Sequence, residues 1–492
     1  MSKKSKIIVF LALLLLVSAM FLQACKKEPS GGEDDKTPQN SAGGEGSETP
    51  AESRKWLDDA PERDFGGYAF RMFLRGAFKV ADMYVEEETG EPVDDAVWLR
   101  NKIVEDRFNI NIEPVWFDDG MATAGEKSIL AGEDAWDTIA HHAMAAYMYV
   151  NKNLTLDWIA NMTHVDLTKS WWNQNMVEDS TYFGRLYAVT GDITYSTLVQ
   201  TLCLFFNKEL FKNLDIPYPY DDVKNGKWTY DRFIEICRQG TAELNGDGVM
   251  TWGEDRYGFA IFNQFTFPVA GLYIGGDKVV KKDENNYPVL SMYTPRTVSI
   301  YEKLFDMLDS EIAFCVTTAM TNAPLVNPVF ASGLALFCDN GLSGAVELRG
   351  MDAEIGILPY PKYDGQTPRY YSLLEAGAST FIIPITNRDL ERTSIILEAM
   401  ASEGQRTVIP AYYELTLKGK HARDDESYDM LDIIKDSIVV DWGYLNGDVT
   451  GQLGLAAHYM IIANNKNFAS FYEKHEAAVQ ANIQKFIEKN EH

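Results

Sequence analysis

Twelve residues, Glu-Leu-Asn-Gly-Asp-Gly-Val-Met-Thr-Trp-Gly-Glu from Glu243 to Glu254, carry oxygen donors at the spacing of a calcium loop. Calcium takes about six to eight oxygens, and such a loop supplies them at fixed positions. Asn245 and Asp247 stand third and fifth, and Gly248 makes the sharp turn at the sixth. Val249 offers a backbone carbonyl, Thr251 a hydroxyl or a bound water, and Glu254 a bidentate carboxylate. Glu243 replaces the usual aspartate at the first position. The expectation is a structural Ca2+ that stiffens the loop ahead of Gly258; a solvated Asn-Gly-Asp-Gly turn is the plain alternative.

Other candidate chemistry is thinner. His141-His142 lacks a third ligand at short spacing, so a metal reading is weak, and contact with a ligand hydroxyl or a surface position is preferred. Asp118-Asp119 and Asp424-Asp425 have the residue types of a glycosidase acid and base, but surface charge in an acidic chain explains them equally. No nucleophile elbow and no phosphate loop is present in the sequence. The expectation is a protein that is not an enzyme. Of five cysteines, Cys203, Cys237, Cys315 and Cys338 lie in apolar stretches at wide spacing, which reads as buried free thiols.

The elements that position these residues follow from periodicity. Alternation and apolar runs predict strands over 68–74, 111–117 and 136–140, with helices over 94–108 and 123–131 between them. This βαβαβ pattern implies a parallel sheet, with ligands beyond the carboxyl ends of its strands. Those ends bring Arg75, Asp118 and His141-His142 toward one cleft. Further on, a strand is expected over 198–206, a helix from 229 with Thr229 as N-cap, a strand over 376–384, and helices over 391–403 and 470–487. Trp171-Trp172 stand side by side, so one of the two is expected to face away from the core.

At 492 residues, 46% hydrophobic and with a formal charge of −27, the chain is long enough for more than one domain. Its acidity argues against nucleic acid as a partner. Lys3, Lys4 and Lys6 precede an apolar run over 7–22, a secretory signal too short to be a comfortable membrane span. The run closes on Leu22-Gln-Ala-Cys25, which resembles a bacterial lipobox and implies cleavage after residue 24 and acylation of Cys25. Two or three acyl chains suffice for stable anchoring. Residues 26–60 are poor in large apolar groups and read as a flexible stalk.

Phe205-Phe-Asn-Lys-Glu-Leu-Phe211, a proline loop and Trp228-Thr-Tyr-Asp-Arg-Phe233 come next in the argument. They are followed by Phe330-Ala-Ser-Gly-Leu-Ala-Leu-Phe337, Asp339-Asn-Gly341 and Ile355-Gly-Ile-Leu-Pro-Tyr-Pro361. In this order they resemble the extracellular solute-binding proteins of bacterial ABC sugar importers, the group related to maltose-binding protein. The resemblance implies a two-lobe α/β fold of type II, periplasmic-binding-protein-like, each lobe a mainly parallel sheet flanked by helices, joined by a multi-crossing hinge. It implies a signal over 1–24, a linker over 25–61, one lobe from 62–145 plus 376–425, and the other from 146–375 plus 426–492. Its ligand contacts carry over to His141, His142, Asp192, Asn263, Gln264 and Phe267, with Trp442 standing in for a tryptophan absent after Gly341. It implies a monomer, lipid-anchored on the outer face of the membrane, that captures a carbohydrate, an oligosaccharide foremost, and delivers it to permease subunits. The alternatives are a secreted carbohydrate-active enzyme and a surface adhesion or sensing module.

Overall fold

A computed structural model describes residues 54–76, 81–117, 120–418 and 425–491. The signal, Cys25, most of the stalk, Asp118, Asp119 and Asp424 lie outside the described residues. Packing begins at Trp56, earlier than the expected end of the linker. Asp58 and Arg107 form a buried ion pair at 2.9 Å, and Ser402 donates to the other Asp58 oxygen. The Trp56 ring lies 4.1 Å beneath the Arg107 guanidinium.

Thirteen strands are described: β1 (Tyr68–Arg75), β2 (Ile110–Phe117), β3 (Thr138–His142), β4 (Leu202–Asn207), β5 (Tyr257–Ile261), β6 (Val280–Lys282), β7 (Pro288–Leu290), β8 (Ala313–Cys315), β9 (Ala335–Gly341), β10 (Ile355–Leu358), β11 (Ser372–Leu373), β12 (Ser379–Ile382) and β13 (Ile438–Val439). The first sheet runs β12-β3-β1-β2. β1 is parallel to β2 and β3, and β12 joins antiparallel to β3. Helices cover both faces, so β1 is apolar on both: Phe70, Met72 and Leu74 pack on one side and Phe73 on the other.

The helix Pro92–Phe108 crosses from β1 to β2. Proline in its first turn, Asp94 and Asp95 near its amino end and Arg107 near its carboxyl end suit the helix dipole. Asn109 ends it at φ 49°, a left-handed cap that asparagine tolerates. β3 starts at Thr138, later than periodicity suggests. Asp137 instead turns inward, where Arg71 Nε donates to it at 3.1 Å and the Arg392 guanidinium stands 3.6 Å away.

The second sheet runs β10-β4-β9-β5-β8. It is mixed: β5 is parallel to β8 and β9, while β4 is antiparallel to β9 and β10 to β4. The expected strand over 198–206 is shortened to β4. Ser196–Val199 is a helical turn instead, because Thr194 Oγ accepts the Ser196 amide at 3.0 Å and the Thr201 hydroxyl donates to Thr197 O at 2.6 Å.

The chain passes between the sheets around residues 193–201, 373–378 and 407–418. The first two crossings are stitched together where the Glu375 amide donates to Gln200 O at 3.1 Å. Helix Leu390–Arg406 returns to the first lobe, and helix Asp425–Asp436 lies against β10 in the second. The four cysteines from Cys203 onward are buried free thiols.

Candidate functional site

The carboxyl ends of β1 and β3 present the first wall. β1 and β3 pair Leu74 with Ala140, so Arg75 and His141 follow side by side. His141 is 9% exposed, and its Nδ1 accepts the His142 amide at 2.7 Å. That bond leaves Nε2 as the protonated nitrogen of a neutral ring. Burial, with the Arg75 charge beside it, draws the imidazole down to about 4. Its Nε2 is buried and has no hydrogen-bond partner. His142, half-buried, alternates to the other strand face, so the two imidazoles do not converge on a metal.

Burial lowers the Arg75 guanidinium, and the charges of Asp82 and Glu375 oppose that shift. Asp82 Oδ2 accepts the Ser379 hydroxyl at 3.4 Å, and Glu375 Oε2 accepts the Gly377 amide at 2.5 Å. Asp82, Gln200 and Glu375 carry no motif. They become neighbours only through the hinge, which is why sequence reasoning missed them.

The second wall is the carboxyl edge of β5, β8 and β9. After β5, Asn263 Oδ1 accepts the Phe265 amide at 2.8 Å and turns the chain. Gln264 is fully buried, with its Nε2 donating to Thr318 Oγ at 2.8 Å and its Oε1 accepting the Thr318 amide at 3.1 Å. These two bonds fix the loop to Thr318. Phe262 and Phe265 are the half-buried rings of this segment, and Phe265 stacks 4.3 Å from the imidazole of His458. Beneath the segment, buried Asp339 accepts the Phe262 amide at 2.6 Å, the Phe267 amide at 2.8 Å and the Tyr360 hydroxyl at 2.8 Å. Burial lifts its carboxyl to about 6.

Three expected contacts do not join this site. Phe267 is 1% exposed and packs edge-on against Phe259 and Tyr360 in the core. Trp442 is equally enclosed, 4.9 Å from both Tyr182 and Phe486. Asp192 lines a different cavity, described below. Beside Asp82, a cavity of about 410 Å3 opens between the lobes, with Asp94 from one side, Ser343 and Glu347 from the other, and Tyr195 and Tyr412 between them. Tyr195 and Tyr412 stack at 4.9 Å, from the first and third crossings. The acids on this lining disfavour an anionic solute.

In the 243–254 loop, Glu243 Oε1 accepts the amides of Asn245, Gly246 and Asp247, and Asn245 Oδ1 also accepts the Asp247 amide. Asp247 Oδ1 accepts the Val249 amide at 2.7 Å, and Asn245 Nδ2 reaches Glu254 Oε2 at 3.4 Å. Val249 is exposed, and the Thr251 amide is held by Asp255. The turn is thus formed by its own amides. Among the described residues no three His, Cys, Asp or Glu side chains are gathered to hold a metal ion.

No protein-family model and no curated protein matches the chain. Solved structures do match its fold. A sugar transporter protein from Rhizobium etli in an open conformation superposes with a TM-score of 0.59 at 12% identity, covering 84% of this chain and 100% of that one. UgpB from Mycobacterium tuberculosis, in complex with glycerophosphocholine, gives 0.55 at 15% identity, covering 86% and 99%. The maltose/maltodextrin-binding domain MalE from Bdellovibrio bacteriovorus, bound to maltotriose, gives 0.51 at 13% identity, covering 85% and 100%. The fold of this chain is therefore the two-lobe, type II architecture of solute-binding proteins.

Proposed function

We propose that the chain captures a neutral hydroxylated solute, a carbohydrate or polyol, between its lobes and delivers it unchanged to the transmembrane subunits of an ABC permease. The observation that carries this reading is the meeting of two sheets' carboxyl edges across a triple hinge. The His141 Nε2–H has no partner within the protein and suits a ligand oxygen. The Phe265–His458 pair offers an aromatic face for the C–H side of a sugar ring. The solutes named for the matching structures, maltotriose and glycerophosphocholine, are hydroxylated as well. Closing requires only that the solute bind the closed state better than the open one.

In this reading the mature chain works as a monomer, tethered through acylated Cys25 to the outer face of the membrane. Among the described residues no helix is long and apolar enough to span a bilayer. In this proposal the tether is the acylated Cys25, and release of a Cys25→Ala chain into the medium tests it. A structural Ca2+ at residues 243–254 belongs to the same proposal. The test of function is a thermal-shift screen of mono- and oligosaccharides and polyols, followed by recovery of the bound solute. A stabilising sugar recovered intact is expected. Hydrolysis of a chromogenic glycoside, with no tight binder in the panel, would point to an enzyme instead.

A further inference from the structure

A second cavity, of about 610 Å3, lies on the other flank of the first hinge crossing. It shares no lining residue with the 410 Å3 cavity beside Asp82. The helical turn Ser196–Val199 divides them: Thr197 and Leu198 face the larger, Val199 the smaller. Its walls come from both lobes. Asn173 and Asp192 belong to the segment leading into the first crossing, and Lys435 and Ile438 to the chain after the third. Asn175 Nδ2 donates to Ile438 O at 3.2 Å and ties the walls together.

The chemistry of the lining is specific. Asp192 Oδ2 accepts Nε2–H of Gln405 at 3.2 Å, and Gln405 in turn donates to Ser170 Oγ at 3.0 Å. Among the described residues no group donates to Asp192 Oδ1. Burial lifts the carboxyl to about 7, with the Gln405 bond and the Lys435 charge opposing that shift. Three acids, Asp192, Glu414 and Asp436, stand against one cation, Lys435, whose ammonium rests 5.2 Å over the Tyr413 ring. The remaining polar groups are amides and hydroxyls, able to take N–H donors or small hydroxyls.

We propose that this cavity is a second ligand site, independent of the interlobe cleft, that takes a small organic amine with its ammonium on the free oxygen of Asp192. An ammonium there supplies the donor that Asp192 lacks and balances the acidic lining. The amides around it hold the rest of the molecule. A neutral polyol can donate a hydroxyl to the same oxygen but leaves the carboxylate charge unbalanced, and is the poorer occupant.

Isothermal titration of the full chain with putrescine, with sorbitol as the uncharged control, tests this. The expected result is saturable 1:1 binding of putrescine and none of sorbitol. Asp192→Asn weakens that binding about tenfold or more, a loss of about 1.4 kcal/mol or greater. Lys435→Met, at an exposed position, removes the competing cation and strengthens binding severalfold. If Asp192→Asn does not melt cooperatively, the Lys435→Met result decides alone. Absence of putrescine binding, or affinity unchanged in both variants, overturns the proposal.

Discussion

At the scale of single residues, burial decides roles that composition leaves open. Trp171 and Trp172 are 4% and 0% exposed, so neither faces solvent as strand alternation suggested. Each indole N–H donates to a different oxygen of Glu398, at 3.2 and 2.9 Å. A glutamate 226 residues downstream of Trp172 leaves no local trace in the sequence, so this pairing was not legible. Replacing it by alanine strands two buried donors. At about 1–3 kcal/mol each, Glu398→Ala should cost about 2–6 kcal/mol in urea denaturation. Burial lifts the Glu398 carboxyl to about 7 from the ordinary 4.5. The folded protein therefore holds a proton that the unfolded chain has lost. Its contribution to stability falls as pH rises from about 4.5 to 7 and is level above that. Melting of Glu398→Gln across this range should show a shallower decline than the parent; an identical slope would place the proton elsewhere.

At the scale of elements, helices and strands with strong periodicity were legible, and short polar turns were not. Residues 94–108 and 391–403 read as helices because their apolar stripes recur, and the structure extends both by only a few residues. The turn Ser196–Val199 was hidden because threonine and leucine over 197–202 look like strand, while the deciding hydrogen bonds come from threonine hydroxyls. In the 258–268 segment the aromatic residues were visible, but not which ring faces out. Asn263 and Asp339 settle that by holding the amides of Phe262, Phe265 and Phe267, which leaves Phe265 outward and Phe267 in the core. The 243–254 turn belongs to this scale too. Gly246 and Gly248 lie at φ 83° and 78°, where other residues are strained. If Ca2+ joins this turn, calorimetry in metal-free buffer gives a binding heat that Glu254→Gln removes, and chelation lowers the melting temperature. No heat and no shift would leave a turn held by amides alone.

At the scale of the molecule, the order of the motifs carried more than any one of them. The βαβαβ start implied only a parallel sheet; the resemblance carried by the ordered motifs implied two lobes threaded by one chain, and β12 does rejoin the sheet of β1–β3. The hinge itself was not legible, because it consists of pairings between distant segments, such as Gln200 with Glu375 and Tyr195 with Tyr412. Those pairings also place Asp82, Arg75 and Glu375 together, so the electrostatics of the candidate site is a property of the assembled fold. Thin hinge segments between two well-packed lobes are the arrangement from which closure is expected.

The most direct test of that closure is a distance between the lobes. Leu130 and Leu325 are both 69% exposed, one in each lobe, and the four cysteines from Cys203 onward are buried. Spin labels on Leu130→Cys and Leu325→Cys, in a Cys25→Ser background, therefore report on the lobes alone. Pulsed electron–electron resonance should show a distance distribution that shortens and narrows when the stabilising sugar saturates the protein. A distribution unchanged at saturation would contradict capture between closing lobes.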